Sequence, residues 1–577
     1  MKYSKIPVAQ SIVALCAAKN IKHVVISPGS RNAPLTIGFT NHPEIKAYSI
    51  VDERCAAFFA LGIAQQIKQP VAVICTSGSA LLNYYPAIAE AYYSDIPLVV
   101  ISADRPIERI DIGDGQTIRQ KNVFGNHILY SANLYSELVL EKEVLDKKLL
   151  QKQFESRRHN EREINLALNS ALENNGPVHI NVPFYEPLYA LEESEITDPV
   201  EILPDLSLRE YSKEALKPYL ELWNSAKRKM VIVGVMPPNN VEQQYLDLLA
   251  EDPTVIIFTE TTSNIHHPEF FTRIDTLIGP IEKSEDAAQQ FKALQPDILL
   301  TFGGMIVSKK IKSFLRNYQP KQHWHIDPKK AYNTFFCLNK HFETSVNSFF
   351  QKFLPATISV NSDYASHWKT INEQRKKRHD LYVSQIPYSD FKAVQSIVPL
   401  IPKDYNVQLG NSSTVRYAQL FNWDASQSIF CNRGTSGIDG SVSTAVGAAL
   451  VKKQPTILIC GDLSFIYDSN ALWNNYIPSN FRIIVINNSG GGIFRILPGN
   501  KNTDNFDTYF ETVHDLNAKS LCEMYSFEYA MAQDSNQMTA ELKKFFKPSE
   551  KPKLLEIFTP RKLNDEILLE YFDFIKS

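Results

Sequence analysis

Nowhere in its 577 residues does the chain carry an apolar run near the ~18 residues that a membrane helix needs. Its greasiest stretches, Ile96 to Ser102, Ile457 to Cys460 and Ile483 to Ile486, are strand-sized. It also lacks any Cys-x-x-Cys pair. The seven cysteines, an odd number, stand at 16, 55, 75, 337, 431, 460 and 522, which argues against a zinc cluster or a disulfide framework and for a reducing compartment. Excess charge of one sign is missing too: 60 basic against 63 acidic side chains leave a formal charge of -3, so no nucleic-acid surface is implied. With 44% hydrophobic and 21% charged residues, disorder is excluded as a general description. The N-terminus imitates a signal peptide only weakly, because Gln10 and Ser11 interrupt the apolar stretch after Lys2 and Lys5. Val8, Ile12, Leu15 and Cys16 repeat at helical spacing and predict an amphipathic first helix. A soluble, cytoplasmic protein without a membrane span is expected.

At about 150 residues per domain the length predicts three to four domains, and the chain contains an internal repeat. Shifted by 385 residues, Ala60, Gly62, Ala64, Lys68, Gln69, Pro70, Ile74 and Cys75 fall on Ala445, Gly447, Ala449, Lys453, Gln454, Pro455, Ile459 and Cys460, eight identities in a window of sixteen. Chance gives about one. Each copy reads as a small-residue helix, a Gln-Pro turn, a buried strand, a polar loop and a second helix, the alternation of a parallel sheet covered by helices. Between the copies, Met230 to Val235, Thr254 to Thr259, Asp297 to Phe302 and Trp324 to Asp327 are β-rich runs separated by helical patterns. The fold class expected is α/β, with three doubly wound parallel-sheet domains at 1–190, 200–355 and 375–577, the first and last related by duplication. The middle region lacks Gly-x-Gly-x-x-Gly, and Gly303-Gly304 after a strand reads as a tight turn rather than a phosphate site. The basic stretch Arg375 to Arg378 reads as a solvated helix leading into the last domain.

In doubly wound sheets, ligands sit at the carboxyl ends of strands. Asp462 follows one buried strand, and Asn488 lies 26 residues on at the end of the next, beside Gly490-Gly491-Gly492. A βαβ unit brings such strand ends together. One carboxylate and one amide oxygen next to a glycine-rich loop suit a hard cation such as Mg²⁺ holding phosphate. Gly113-Asp114-Gly115 matches the first half of that pattern better, but no asparagine pair follows at the required distance, so spacing selects Asp462. A second constellation is Asp52-Glu53-Arg54 ahead of a small-residue helix; taken alone, an acid there is explained by the helix dipole. The third is a set of loop segments: Ser27-Pro28-Gly29-Ser30-Arg31, Ala103-Asp104-Arg105-Pro106, Gln116 to Gln120, Arg416 and Asn432-Arg433-Gly434. Arginine binds carboxylates bidentately, and a sheltered charge-assisted bond is worth roughly 1.5–3 kcal/mol. Any one arginine is explained by a surface ion pair, but the set implies substrates with several carboxylates.

The Gly-Asp and Asn-Asn pairs at this spacing resemble the signature of the thiamine-diphosphate (ThDP) enzymes. Ser-Pro-Gly-Ser-Arg, Asp-Glu-Arg, Ala-Asp-Arg-Pro, Asn-Arg-Gly-x-Ser-Gly-Ile-Asp-Gly, Gly-Asp-Leu-Ser and Asn-Asn-x-Gly-Gly are similar, in order, to one branch, the 2-succinyl-5-enolpyruvyl-6-hydroxy-3-cyclohexene-1-carboxylate synthases of menaquinone biosynthesis. In that branch Leu463 after Gly-Asp is normal, while Gly115 and Ser489 stand where relatives vary. The resemblance implies the following roles. Glu53 would be the catalytic carboxyl group that activates the cofactor's aminopyrimidine ring. Asp462, Asn488 and the carbonyl of Gly490 would hold Mg²⁺ or Mn²⁺. Ser412, Leu463 and Ser464 would contribute to the cofactor site, where Ile438 would prop the cofactor in its bent form and Ile493 and Phe494 would wall the pocket; by its residue type alone Ile438 could equally be core. Ser30, Arg31, Arg105, Gln116, Arg416 and Arg433 would grip substrate carboxylates. The reaction implied is decarboxylation of 2-oxoglutarate and conjugate addition of the resulting four-carbon carbanion to isochorismate, in a homodimer or homotetramer. Two other readings stay open. An acetolactate synthase or 2-oxoacid decarboxylase would share the cofactor motifs but need fewer arginines. A catalytically silent α/β scaffold would not need Glu53, Asp462 and Asn488 together.

Overall fold

The computed structural model describes residues 2–137, 146–497, 499, 501, 503 and 505–576. Three parallel sheets follow one another along the chain. The first contains β1 (His23–Ile26), β2 (Lys46–Ser49), β3 (Val71–Cys75), β4 (Leu98–Asp104), β5 (Tyr130–Asn133) and β6 (Val178–Pro183) in the order β2-β1-β3-β4-β6-β5. The middle sheet contains β7 (Lys229–Val233), β8 (Val255–Thr259), β9 (Ile298–Phe302), β10 (Gln322–Ile326) and β11 (Lys340–Phe342) in the order β8-β7-β9-β10-β11. The last contains β12 (Asn406–Leu409), β13 (Ser428–Cys431), β14 (Thr456–Gly461), β15 (Arg482–Asn487), β16 (Glu528–Ala532) and β17 (Lys553–Phe558) in the order β13-β12-β14-β15-β17-β16. The first and last orders are the same permutation, so the duplication seen in the sequence extends to the whole sheet. Central strands such as Val-Ala-Val-Ile-Cys of β3 are buried at every position, as strands covered on both faces must be. Among the described residues no helix is long and apolar enough to cross a membrane.

Six of the helices flank the sheets at the positions that matter for the site: α1 (Pro7–Ala18), α2 (Glu53–Ile67), α3 (Tyr85–Ser94), α4 (Lys309–Asn317), α5 (Ser413–Ala418) and α6 (Ser441–Val451). The first, expected to be amphipathic, is buried more fully than its periodicity suggests. Gln10 is inside and is satisfied there, donating to the Ser4 carbonyl and accepting from Ile196 N. The chain forms two compact units, one of Met1–Leu206 with Asn432–Lys453 and Ser464–Phe481, the other of Ser207–Cys431 with Gln454–Leu463 and Arg482–Ser577. The first unit therefore takes in α6, which follows β13 of the last sheet.

Within that unit α2 and α6 cross at backbone contact. A Cβ on Gly62 would lie 2.0 Å from the Thr444 carbonyl oxygen, and one on Gly447 would lie 2.1 Å from the Phe59 carbonyl oxygen. Because 62 + 385 = 447 and 59 + 385 = 444, the two contacts are one contact made twice, once from each copy, about a local pseudo-two-fold axis. Only glycine leaves room for it.

In the second unit the middle sheet has a topological switch point between β7 and β9, where doubly wound sheets take ligands. Here the chain itself fills it. A Cβ on Gly234 would sit 2.0 Å from the Gly304 carbonyl oxygen, Gly303 turns at φ +79°, and Gly304 N donates to the Val235 carbonyl. Gly303-Gly304 is thus the tight turn expected. The N-terminus of α4 already has an internal anion: the buried Glu260 carboxylate accepts from Val307 N and Ser308 N, both at 2.7 Å.

The basic stretch at 375–378 departs from its expectation. It does lie on a helix, Tyr364–Gln385, which runs across residue 375, but two of its arginines are not solvated. Arg375 is buried and donates to the Ile575 carbonyl, and Arg378 donates to the Phe574 carbonyl at 2.9 and 2.7 Å. These donors satisfy the carbonyls at the end of helix Asn564–Phe574, whose last turn has no intrahelical partners.

A Cβ forced against a backbone carbonyl cannot be relieved by a rotamer change. Gly447→Ala is expected to destabilise the protein by at least the ~1–3 kcal/mol typical of overpacking. Gly461→Ala, whose Cβ meets nothing within 4 Å, is expected to leave stability unchanged. Denaturant unfolding of the two variants checks this.

Candidate active site

In the second unit, the ends of β14 and β15 define one cluster. Gly461 pairs with Ile486 across these neighbouring parallel strands, so Asp462 and Asn488 leave the sheet at the same edge. Both are buried. Asp462 Oδ1 accepts from Leu463 N at 2.7 Å and Oδ2 from Gly490 N at 2.9 Å, and His514 Nε2 stands 3.3 Å from Oδ2. That carboxylate holds the His514 imidazole above its usual pKa. Asn488 Nδ2 donates to Asp390 Oδ2 at 2.8 Å, which orients the amide, while its Oδ1 is buried without a hydrogen-bond partner. Burial pushes Asp390 up to about 6 against the hydrogen bonds from Thr559 and Asn488.

An orphaned buried oxygen costs ~1–3 kcal/mol unless something completes it. Here it accompanies a carboxylate and a glycine turn, a set of hard oxygens that fits a divalent cation. Gly490 has φ +148°, and a Cβ there would lie 2.6 Å from the Glu511 carbonyl oxygen, so the turn that brings its amide to Asp462 accepts no side chain. Ser412 lies at the end of the neighbouring strand β12 and is held at φ +71°, a conformation that costs a non-glycine residue about 1–3 kcal/mol. Arg416 on α5 and Ile493 share a cavity of about 200 Å³. Phe494 does not line it; that ring is exposed and meets Phe510 edge-on. The cavity is also lined by Ser308, Lys309 and Lys310 at the start of α4, residues that the sequence reading passed over. Their signal was a Lys-Lys pair soon after the β9 turn.

In the first unit, Glu53 is the first residue of α2. Asp52 caps the helix by accepting from Cys55 N at 3.1 Å. Arg54 donates to the Asp439 carbonyl at 2.9 Å and the Tyr467 carbonyl at 3.0 Å, with its guanidinium 4.8 Å over the Tyr467 ring and 3.7 Å from Asp468. Asp468 is fully buried and accepts from Ser443 N and Ser443 Oγ, both at 2.7 Å, and from Cys55 Sγ at 3.6 Å. It ties the first turns of α2 and α6 together. Glu53 and Ile438 occupy equivalent positions of the two copies, since 53 + 385 = 438. Ile438 is half-buried rather than sealed in a core, and its carbonyl accepts from Ser464 Oγ at 3.2 Å.

Three of the expected substrate residues hang on one hydrogen-bonded chain. Buried Arg31 donates through Nη1 to the Phe184 carbonyl at 3.0 Å, and Phe184 N donates to the Asp104 carbonyl at 3.1 Å. Arg105 N donates to Asp104 Oδ1 at 2.8 Å, and its guanidinium reaches the Gly115 carbonyl at 2.8 and 3.2 Å, next to Gln116 at φ +55°. Arg31 also pairs with Glu186 at 3.1 Å, whereas the hydrogen bonds of the Arg105 guanidinium go to a carbonyl. Ser30 is exposed beside Arg31. Beneath them buried Gln120 joins Gly78 N, Ser102 and Asn181, and Asn181 joins Asp104. The competing motif Gly113-Asp114-Gly115 is an open turn: Asp114 faces Arg109 at 3.6 Å, and a Cβ on either glycine meets nothing.

The structure thus groups Ser30, Arg31, Glu53, Arg105, Gln116, Arg433, Ile438 and Ser464 in the first unit. Ser412, Arg416, Asp462, Leu463, Asn488, Gly490, Ile493 and Phe494 fall in the second. Asp390, His514 and Asp468 escaped the sequence reading. None sits in a recognisable motif, and each meets its partner only through the fold.

Comparison with known proteins finds thiamine pyrophosphate enzymes along the chain. Residues 6–128 match the family described as thiamine pyrophosphate enzyme, N-terminal TPP binding domain, 208–407 match the middle domain of thiamine pyrophosphate, and 410–557 match the C-terminal TPP binding domain. The chain is 70% identical over 577 residues, the full length of both proteins, to a 2-succinyl-5-enolpyruvyl-6-hydroxy-3-cyclohexene-1-carboxylate synthase of Christiangramia forsetii. It is 53% identical to the protein of that name from Flavobacterium psychrophilum, with 99% of each chain covered. It is 36% identical to that from Porphyromonas gingivalis, with 98% of this chain and 96% of the other covered.

Burial pushes Asp468 up to about 7 despite its donors. The folded protein therefore keeps a proton that the unfolded chain releases near its usual value of about 3.9, and stability is lost as pH rises between the two. Asp468→Asn has no proton to hold. The stability difference, wild type minus variant, is expected to fall from about pH 5 to about pH 7, read from urea unfolding across that range.

Proposed function

The chain belongs to the 2-succinyl-5-enolpyruvyl-6-hydroxy-3-cyclohexene-1-carboxylate synthases, a family of thiamine pyrophosphate enzymes, and from that premise we propose that it is the transferase that decarboxylates 2-oxoglutarate and adds the remaining four-carbon unit to isochorismate in menaquinone biosynthesis. The observation that carries the substrate assignment is the hydrogen-bonded chain from Arg31 through Asp104 to Arg105 and the Gly115 carbonyl beside Gln116. It holds two guanidinium groups in place before any ligand arrives, and with Arg433 of the same unit it offers more positive charge than pyruvate, with one carboxylate, would call for. 2-Oxoglutarate and isochorismate bring two carboxylates each, and a buried carboxylate without a partner is costly.

When bound, thiamine diphosphate supplies the nucleophilic carbon and the electron sink that release of CO₂ requires. Glu53 holds a proton at the aminopyrimidine ring nitrogen. Ile438 gives the cofactor an apolar support. Asp462, the open Oδ1 of Asn488 and the Gly490 carbonyl would hold Mg²⁺, or Mn²⁺, for the diphosphate, with Asp390 orienting the asparagine and Ser412 and Leu463 in the same unit. Ser30, Arg31, Arg105, Gln116, Arg416 and Arg433 orient the carboxylates, and Ile493 keeps water from the reacting carbon. A homodimer or homotetramer working in the cytoplasm is part of the same reading.

With thiamine diphosphate and Mg²⁺ the protein is expected to consume 2-oxoglutarate and isochorismate in equal amounts, release one CO₂ per turnover and leave pyruvate nearly untouched. Glu53→Gln is expected to lose about 10²–10⁴-fold in turnover, the usual scale of acid–base help. Conversion of pyruvate to acetolactate or acetaldehyde, with isochorismate ignored, would overturn the substrate assignment. Binding gives a separate check. Asp462→Ala and Asn488→Ala are expected to weaken metal and thiamine diphosphate together in titration calorimetry, because each ligand helps to hold the other, whereas Asp114→Ala changes neither.

A further inference from the structure

Glu90 on α3 is 1% exposed, and among the described residues no cation pairs with it. Hydrogen bonds alone compensate its charge. Oε1 accepts from Ser94 Oγ at 2.6 Å and Gly434 N at 2.8 Å, and Oε2 accepts from Thr435 N at 2.6 Å and Thr435 Oγ1 at 2.9 Å. Two successive backbone N–H groups directed at one carboxylate form an anion nest, filled here by the protein's own side chain. The loop is also in backbone contact with the helix, since a Cβ on Gly434 would lie 2.6 Å from the Glu90 carbonyl oxygen.

The anchored residues immediately follow Arg433. Immediately before it, Asn432 Nδ2 donates to Thr444 Oγ1 on α6 at 2.9 Å. The far end of the same loop is held by Arg54, which donates to the Asp439 carbonyl beside Ile438. The backbone on both sides of Arg433 is therefore fixed. A glutamine at position 90 would turn an amide N–H₂ toward at least one of these donors and lose an acceptor, so the negative charge itself is what the loop needs.

We propose that Glu90 is a positioning residue: by anchoring Gly434 and Thr435 it sets Arg433 for a substrate carboxylate, a role that rests on the substrate reading given above. Two measurements on the full-length protein test it. Amide hydrogen exchange of the loop reads the anchor without substrate, and Glu90→Gln is expected to speed exchange at Gly434 and Thr435 selectively. Steady-state kinetics with thiamine diphosphate, Mg²⁺ and both substrates read the consequence. The apparent KM of a carboxylate substrate is expected to rise about tenfold to a hundredfold, with kcat within a few-fold and thiamine diphosphate affinity unchanged. Arg433→Lys should give a similar rise, and the double variant should be no worse than the poorer single one, because both changes remove the same contact. Thr435→Val, which removes only the hydroxyl bond, should move KM in the same direction by less, and it takes the place of Glu90→Gln if that variant does not fold. Multiplying effects in the double variant, unchanged loop exchange, or a parallel fall in cofactor affinity would overturn the proposal. If the wild type consumes neither substrate, the substrate reading fails and with it the carboxylate role of Arg433, while the exchange measurement still decides whether Glu90 anchors the loop.

Discussion

The approach of α2 and α6 to backbone contact is the constraint on which the first unit depends. Gly62 and Gly447 each lie against a carbonyl of the other helix, and the two contacts are related by the internal repeat. Helices that close hold whatever stands at their first turns in a fixed relation. Glu53 opens α2, and Ile438 stands three residues before α6, at the equivalent position of the other copy. Duplication supplied two scaffolds of the same strand order, and divergence at one equivalent position left a carboxyl group in one copy and an apolar side chain in the other.

Around this crossing the protein uses buried carboxylates as fasteners. Asp468 joins the first turns of α2 and α6, Glu90 anchors the loop that carries Arg433, Glu260 closes the N-terminus of α4, and Asp390 orients the Asn488 amide. Each replaces water with several short hydrogen bonds, the condition under which burying a charge is tolerated. A carboxylate can accept from several donors at once, so one side chain fixes two or three backbone groups. An apolar contact would bury area but would not fix the direction of an N–H.

The middle domain shares the architecture of the other two but closes its usual ligand crevice. Its switch point is filled by Gly234, Gly303 and Gly304, and Glu260 stands where an external phosphate would bind a helix N-terminus. The same turn presents Ser308, Lys309 and Lys310 to the cavity that holds Arg416. The fold's usual ligand crevice is closed, and the residues that follow its turn line a separate cavity.

By itself the sequence determined what depends on local pattern and on spacing along the chain. The α/β class follows from strand-sized apolar runs alternating with helical periodicity, and the duplication follows from identities at a fixed offset. Asp462 is distinguished from Asp114 because only Asp462 has an asparagine pair one βαβ unit away. Contacts between segments distant in sequence were decided by the tertiary structure alone. Arg375 and Arg378 look solvated in one dimension and satisfy the end of a helix some 200 residues later; Asp390 meets Asn488 across 98 residues and Glu90 meets Gly434 across 344. Nothing local marks such residues, because a carboxylate on a helix has the same sequence signature whether it faces water or a backbone nest. Gly62 and Gly447 stand between these cases: their identity is plain in the repeat, but only the closed crossing of α2 and α6 shows that both positions exclude any side chain.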